Sequence, residues 1–280
     1  MMGLIVALGA AVAVVAAARS TWSPCGLSML SSITVFGERA RGQRYWVTAS
    51  WFIAGAVLGG GVLGVAAALL AAGVAALGLG TEPAALLLVA CAAGVLAIAA
   101  DSGAFGDLIP LVRRQVDDRW LRSYRGWAYG FGFGAQVGVG LATYVMTAGV
   151  FLMVALGVLT ASPLAAWALC AGFGLARGLT VLLTSRAPTP ASLRSLHRRV
   201  DRAGPAVRLA AIGVEVLVAV AAAAAFSPYL GLAVAAGMGA AAWVLRDRLA
   251  GVGNGRAATA AVTAGADGSD APRWQRAAEG

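Results

Sequence analysis

Long apolar segments separated by short polar connections make up most of this sequence. Two of these segments, residues 47–79 and 126–159, contain no Asp, Glu, Lys or Arg. A bilayer hydrocarbon core of about 30 Å is crossed by a helix of about 20 apolar residues, so the pattern predicts an all-α integral membrane protein. Transmembrane spans are predicted at residues 3–37, 46–79, 84–100, 126–159, 163–184, 207–226 and 229–245, which makes seven.

The first and fourth predicted spans are too long for one straight crossing. As a straight helix, residues 3–37 would extend about 50 Å at 1.5 Å per residue. Pro24 lacks a backbone donor and Gly26 weakens the helix beside it, so we expect a break near Ser23. Broken backbone at membrane depth is buried in protein or lines a wet cavity. In transporters such breaks mark binding sites.

The fourth span, residues 126–159, contains a face of small residues. Gly130, Gly134 and Gly138 recur every four residues and therefore lie on one helix face, with Gln136 as a polar neighbour. A face of this kind lets another helix approach closely, and the alternative is that it contacts a ligand. The residues predicted to line a site at the two breaks are Ser23, Pro24, Gly26, Gly130, Gly134, Gln136 and Gly138.

The two long spans each begin one half of the predicted transmembrane domain, and the halves start on opposite sides of the membrane. This arrangement predicts an inverted-topology repeat. The domain covers residues 1–249, with half one at 1–100 and half two at 126–245, and residues 250–280 are predicted to be a disordered cytoplasmic tail. For the last two spans, a tight hairpin is favoured over one broken segment.

Basic residues set the predicted orientation. Charged residues are 12% of the chain, the net charge is +9, and all 21 basic residues are Arg. Nineteen of them lie in every second connection or in the C-terminal tail. The positive-inside rule then predicts an outside N-terminus and a cytoplasmic C-terminus in a bacterial cell membrane. The bilayer accounts for the positive charge, so the predicted partner is lipid and not nucleic acid. A cleaved signal peptide at residues 4–18 is the less favoured alternative, because residues 1–3 have no positive side chain.

Ionisable residues inside predicted spans are functional candidates by default. Three qualify, namely Arg19, Arg177 and Glu215. Arg177 lies near the cytoplasmic end of its span and is expected to extend its charged end to the interface. Glu215 lies about two turns inside its span. The sequence contains no motif typical of a bound cofactor or metal, so neither is predicted.

The three cysteines are too few and too widely spaced for a disulfide framework or a zinc site. Cys91 and Cys170 lie within apolar segments and are expected to be buried. Cys25 lies beside the predicted break, where exposed backbone amides, and Arg19 if it folds back, would make it reactive. The alternative is an inert cysteine beside a proline kink.

The stretch Ser23-Pro24-Cys25, followed by small and apolar residues, resembles the CcdA/DsbD family of membrane thiol–disulfide carriers. These proteins serve cytochrome c maturation and the reduction of periplasmic proteins. The resemblance covers residues 3–226 and implies two inverted repeats of three helices, each beginning with a long Pro-broken helix, and thioredoxin-like partners on either side of the membrane. The family's carrier activity uses a second cysteine at the matching break, and residues 130–140 contain none. Cys25 is therefore the one catalytic candidate that the resemblance gives.

Three functions remain open at this point. The first is a thiol–disulfide relay that uses Cys25. The second is a small-solute or metal transporter on the same inverted-repeat scaffold, with its site at the two breaks. The third is a non-catalytic assembly subunit whose glycine faces hold the helices of a partner.

Overall fold

The computed structural model describes residues 2–104, 124–140 and 146–241. Within these ranges the chain forms helices and short connections and contains no strand, as the sequence predicts. The helices are α1 (Met2–Arg19), α2 (Pro24–Ser32), α3 (Val35–Ala40), α4 (Tyr45–Ala76), α5 (Pro83–Ser102), α6 (Gly126–Val139), α7 (Gly149–Leu159), α8 (Pro163–Leu179), α9 (Pro190–Phe226) and α10 (Pro228–Ala241). The predicted tail at residues 250–280 lies outside the described residues.

Five helical segments of the described chain are long and apolar enough to cross a membrane. They are Met2–Trp22, Tyr45–Ala76, Pro83–Ser102, Pro163–Arg186 and Pro190–Phe226. Helices α7 and α10 are apolar but shorter. Large apolar side chains also lie on the outer surface, for example Leu69 at 69% exposure. Such a surface is stable in lipid, and the prediction of a multi-pass membrane protein is confirmed.

The predicted break in the first span is present. Helix α1 continues as a 3-10 turn at Ser20–Trp22 and ends at Ser23, whose backbone is extended. Pro24 is the first residue of α2, a position that needs no N–H donor, and the Ser23 hydroxyl accepts a hydrogen bond from the Gly26 amide at 3.1 Å. A Cβ atom on Gly26 would lie 2.9 Å from the Ser20 carbonyl oxygen, so the turn requires glycine there.

The second break lies at the C-terminal end of the predicted range, residues 130–140. Helix α6 continues through Gly130, Gly134 and Gly138 and ends at Gly140, which has a positive φ of 73°. The next described helix begins at Gly149. Helix α6 tolerates its glycines because each of the three faces the backbone of α4 at close range, so packing replaces the helical propensity that glycine lacks.

Helix α4 lies at the centre of the packing. It contacts α6 on one side and α8 on another, and small residues form both interfaces. Helix α1 packs against α7, α8 and α9, while α5 packs against α9. Buried side chains form two clusters, one between α1, α4, α5, α7, α8 and α9 and one around Cys25.

Helix α9 corrects one prediction and supports another. A span at residues 207–226 was predicted, but one helix of 37 residues covers this span and the residues before it. Pro205 does not end this helix. Proline has no N–H to donate to the Asp201 carbonyl, but both residues are exposed, so that carbonyl can bind solvent instead. After the extended residue Ser227 the chain turns back, so that Gly231 lies against Ala224, as in a hairpin.

Residues 1–234 form one compact unit. A second unit begins at Ala235, and its described part is the end of α10.

Candidate functional site

Cys25 lies at the start of α2, directly after the first helix break. Its side chain has 0% exposure. The surrounding cluster draws on four other helical segments through residues such as Phe52, Val137, Val181 and Val200. The sulfur is therefore enclosed by apolar side chains and lies at the N-terminal end of a helix, where unpaired backbone N–H groups favour a negative charge.

Arg177 on α8 connects the two helix breaks. Its Nη1 donates a hydrogen bond to the Val137 carbonyl oxygen at 2.8 Å, and its Nη2 lies 3.5 Å from the Ser23 hydroxyl. The guanidinium carbon lies 6.0 Å from the ring centre of Phe173. The charge also interacts electrostatically with Cys25.

The expectation that Arg177 extends to the membrane interface is therefore wrong. Its exposure is 2%. Val137 lies in the last turn of α6, where carbonyl groups have no partner within the helix, and it accepts from both Arg177 and the Gly140 amide. The break supplies the acceptor that makes a buried guanidinium stable.

The structure thus brings together Ser23, Cys25 and Arg177 from the predicted set. Pro24 and Gly26 build the turn beside them. Arg19 is partly exposed at the end of α1, and Gln136 is partly buried on α6.

The three glycines of α6 that were predicted to line the site belong to the interface with α4. They lie against α4, where added Cβ atoms would clash with the backbone at Thr48, Phe52 and Ala56. At these positions the interface leaves no space for a ligand, so packing is their role in this structure.

The other two cysteines lie apart from Cys25. Cys91 and Cys170 are buried in the cluster formed with α1, α5, α7 and α9, and neither belongs to the cluster around Cys25. Cys91 and Cys170 are free thiols. The break after α6 contributes no cysteine among its described residues.

Sequence reasoning missed a buried carboxylate on α3, the helix that follows α2. Glu38 has 0% exposure and accepts hydrogen bonds from Thr48 (2.7 Å), Tyr129 and Arg41. These bonds join α3, α4 and α6. Burial lowers the pKa of the Arg41 guanidinium, but the hydrogen bond to Glu38 and the neighbouring charges outweigh it, so the pKa is raised overall. The available signal was a single acidic residue directly before three arginines in a short connection.

Glu215 on α9 is buried, with 1% exposure. Its titratable neighbour is Asp101 at the end of α5. Asp101 accepts hydrogen bonds from the Thr147 hydroxyl and, at 2.6 Å, from the Ala148 amide, so it caps the start of α7. Sequence reasoning placed Asp101 in a connection and did not identify this pair.

These features define a class: a multi-pass helical membrane protein in which two helix breaks meet at one buried arginine, beside a cysteine. No protein-family model and no solved structure matches the chain. The chain is 32% identical over 186 residues to the methylamine utilization protein MauF of Paracoccus versutus, an alignment that covers 66% of this chain and 67% of that protein. The chain belongs to the MauF family.

Proposed function

We propose that this protein is a thiol–disulfide exchange protein of the cell membrane, similar to the CcdA/DsbD family, with Cys25 as its catalytic residue. The observation that supports this proposal is the position of Arg177, which bridges both helix breaks beside the thiol. A buried positive charge and a helix N-terminus both offset the negative charge that a cysteine sulfur carries when it reacts.

The proposed topology has seven spans arranged as an inverted repeat, with the N-terminus outside and the C-terminus in the cytoplasm. The two broken segments at residues 2–32 and 126–159 would be equivalent elements of the two halves. The arginine distribution supports this orientation. The exposed rings of Trp46, Trp51 and Trp127 lie near these connections and support a membrane interface there, as interfacial aromatic residues do.

In the proposed reaction the Cys25 thiolate attacks a disulfide of an extracytoplasmic protein. One sulfur of that disulfide leaves as a thiolate, and the other forms a mixed disulfide with Cys25. A thioredoxin-like dithiol then attacks the Cys25 sulfur and releases the reduced protein. The second thiolate of the dithiol then attacks the dithiol sulfur that is bound to Cys25 and frees Cys25. The dithiol is thereby oxidised and the substrate disulfide is reduced.

This scheme needs no second cysteine in the chain, because the dithiol partner supplies the resolving thiol. It does require the cluster around Cys25 to open, since the sulfur is fully buried. The 3-10 turn and the single-residue break at Ser23 are the natural place for such opening, because few backbone hydrogen bonds hold them.

The test is to trap the thiol state of Cys25 in isolated membranes by acid quench and a mass-tagged maleimide, in a Cys91→Ala, Cys170→Ala background. We expect Cys25 to cycle between blocked and free as a thioredoxin-type reductant is added and removed, and Cys25→Ser to abolish the trapped adduct. A thiol that stays free or unreactive throughout would exclude the relay.

A small-solute transporter on the same scaffold is the second candidate, and the meeting of two helix breaks favours it. It predicts substrate flux that survives Cys25→Ser. MauF is named as a methylamine utilization protein, and we propose that this chain serves the same general process, either by reducing a protein of that process or by assembling with one. Co-purification of a stable partner with no exchange activity would support the assembly role.

A further inference from the structure

Beside Glu215 the structure contains a second polar site, which does not involve Cys25. A pocket large enough for about one water molecule lies between α1, α7 and α9. Its walls are apolar side chains from α1 and α9, together with Thr147, Gly149 and Glu215. A carboxyl group that borders a small apolar pocket at 1% exposure is costly to keep charged.

The hydrogen bonds distinguish the two carboxyl groups. Both oxygens of Asp101 accept bonds, one from the Thr147 hydroxyl and one from the Ala148 amide, as an ionised carboxylate does. Neither oxygen of Glu215 receives a hydrogen bond from a donor in the described part of the chain. Two adjacent carboxylates, here the buried Glu215 and the partly buried Asp101, disfavour double ionisation, so Glu215 is the member that retains a proton.

We propose that Glu215 and Asp101 form a proton-binding site, in which one proton is held by Glu215 against the ionised Asp101 and the pocket admits the water that exchanges it. Of the described charged groups on the packed helices, Arg208 donates to the Asp101 carbonyl oxygen at 3.0 Å. Arg19 lies one turn beyond the pocket residue Ala16 on α1. No charged residue lies on α7.

The test uses the full chain in lipid nanodiscs and infrared spectroscopy in H2O and D2O. We expect a carbonyl band of a protonated carboxylic acid at neutral pH that shifts on deuteration and is missing in Glu215→Gln. The control variant Glu82→Gln removes an exposed glutamate and should keep the band. Absence of the band in the wild-type protein at neutral pH would overturn the proposal, whether or not the variants fold.

Thermal unfolding as a function of pH gives a second measurement. Loss of the proton at high pH leaves two neighbouring carboxylates, so the Tm of the wild type should fall as pH rises, and Glu215→Gln should lack this fall. If sodium ions raise the wild-type Tm at neutral pH but not that of Glu215→Gln, the site binds a metal cation and the proton assignment is wrong.

Discussion

Replacing Gly134 by alanine tests how closely α6 approaches α4. Gly134 lies in the middle of α6 and faces Phe52 of α4. A Cβ atom added there would lie 2.8 Å from the Phe52 carbonyl carbon and closer still to its oxygen, whereas ordinary contacts begin at 3.4 Å. Only backbone atoms are in the way, so no side-chain rotation relieves the clash and the two helices have to separate.

The expected cost follows from this geometry. Overpacking a well-packed interface costs about 1–3 kcal/mol, and occasionally more. The clash involves rigid backbone, so we expect about 3 kcal/mol, the upper end of that range. Separation at Gly134 also weakens the contacts one turn away at Gly130 and Gly138. The better helix propensity of alanine offsets about 1 kcal/mol of this packing cost, so the expected net loss in the free energy of unfolding is about 2 kcal/mol.

The assay is thermal unfolding in detergent micelles, followed by tryptophan fluorescence. Trp51 and Trp127 lie on α4 and α6 with ring centres 5.9 Å apart, so their emission reports on separation of these helices. Gly73→Ala is the control, because Gly73 lies on α4 with nothing within 4 Å of an added Cβ, and it should unfold at or above the wild-type temperature. If Gly134→Ala is as stable as Gly73→Ala, α6 and α4 do not approach each other closely at Gly134.

Three further predictions concern the polar groups. Glu38→Gln removes the buried charge of a three-donor network and should lower the free energy of unfolding by about 3 kcal/mol, measured by thermal unfolding; an unchanged Tm would contradict the network. Ser23→Ala removes the cap of α2, worth about 1 kcal/mol, so maleimide labelling of Cys25 should be about five-fold faster; an equal rate would mean that opening occurs elsewhere. Thr147→Val removes a hydrogen bond to the Asp101 carboxylate and should cost about 2 kcal/mol by the same unfolding assay, and no cost would argue against the cap.

The sequence predicted those features that depend on local chemistry. The break at Ser23 follows from a proline without a donor and a serine able to cap the next helix, and both effects act within four residues. The second break was predicted only as a range, residues 130–140, because glycine weakens an isolated helix but not one that another backbone supports. The informative residue was Gly140, the one glycine of that segment whose φ is positive.

The candidate site was only partly predictable for a different reason. Cys25 and Ser23 are neighbours in the chain, so a short motif was enough to identify them. Arg177 is stabilised by a carbonyl 40 positions away in sequence, and Glu38 by a tyrosine 91 positions away. A single sequence contains no record of such pairings. Arg177 was therefore interpreted as an interfacial residue and Glu38 as a loop residue, although both are buried.

The length of α9 has a consequence for the lipid around this protein. At 1.5 Å per residue its 37 residues span about 55 Å, well beyond a hydrocarbon core of about 30 Å. Its first half exposes Arg194, Arg198, Arg199 and Arg202, and it is fixed to the first break by the bond from the Trp22 indole to the Val200 carbonyl at 3.1 Å. Anionic headgroups attract each such arginine by about 1 kcal/mol. The phospholipid composition of the leaflet therefore acts on the same segment that covers Cys25, and we expect access to this thiol to differ between vesicles of neutral and of acidic lipids.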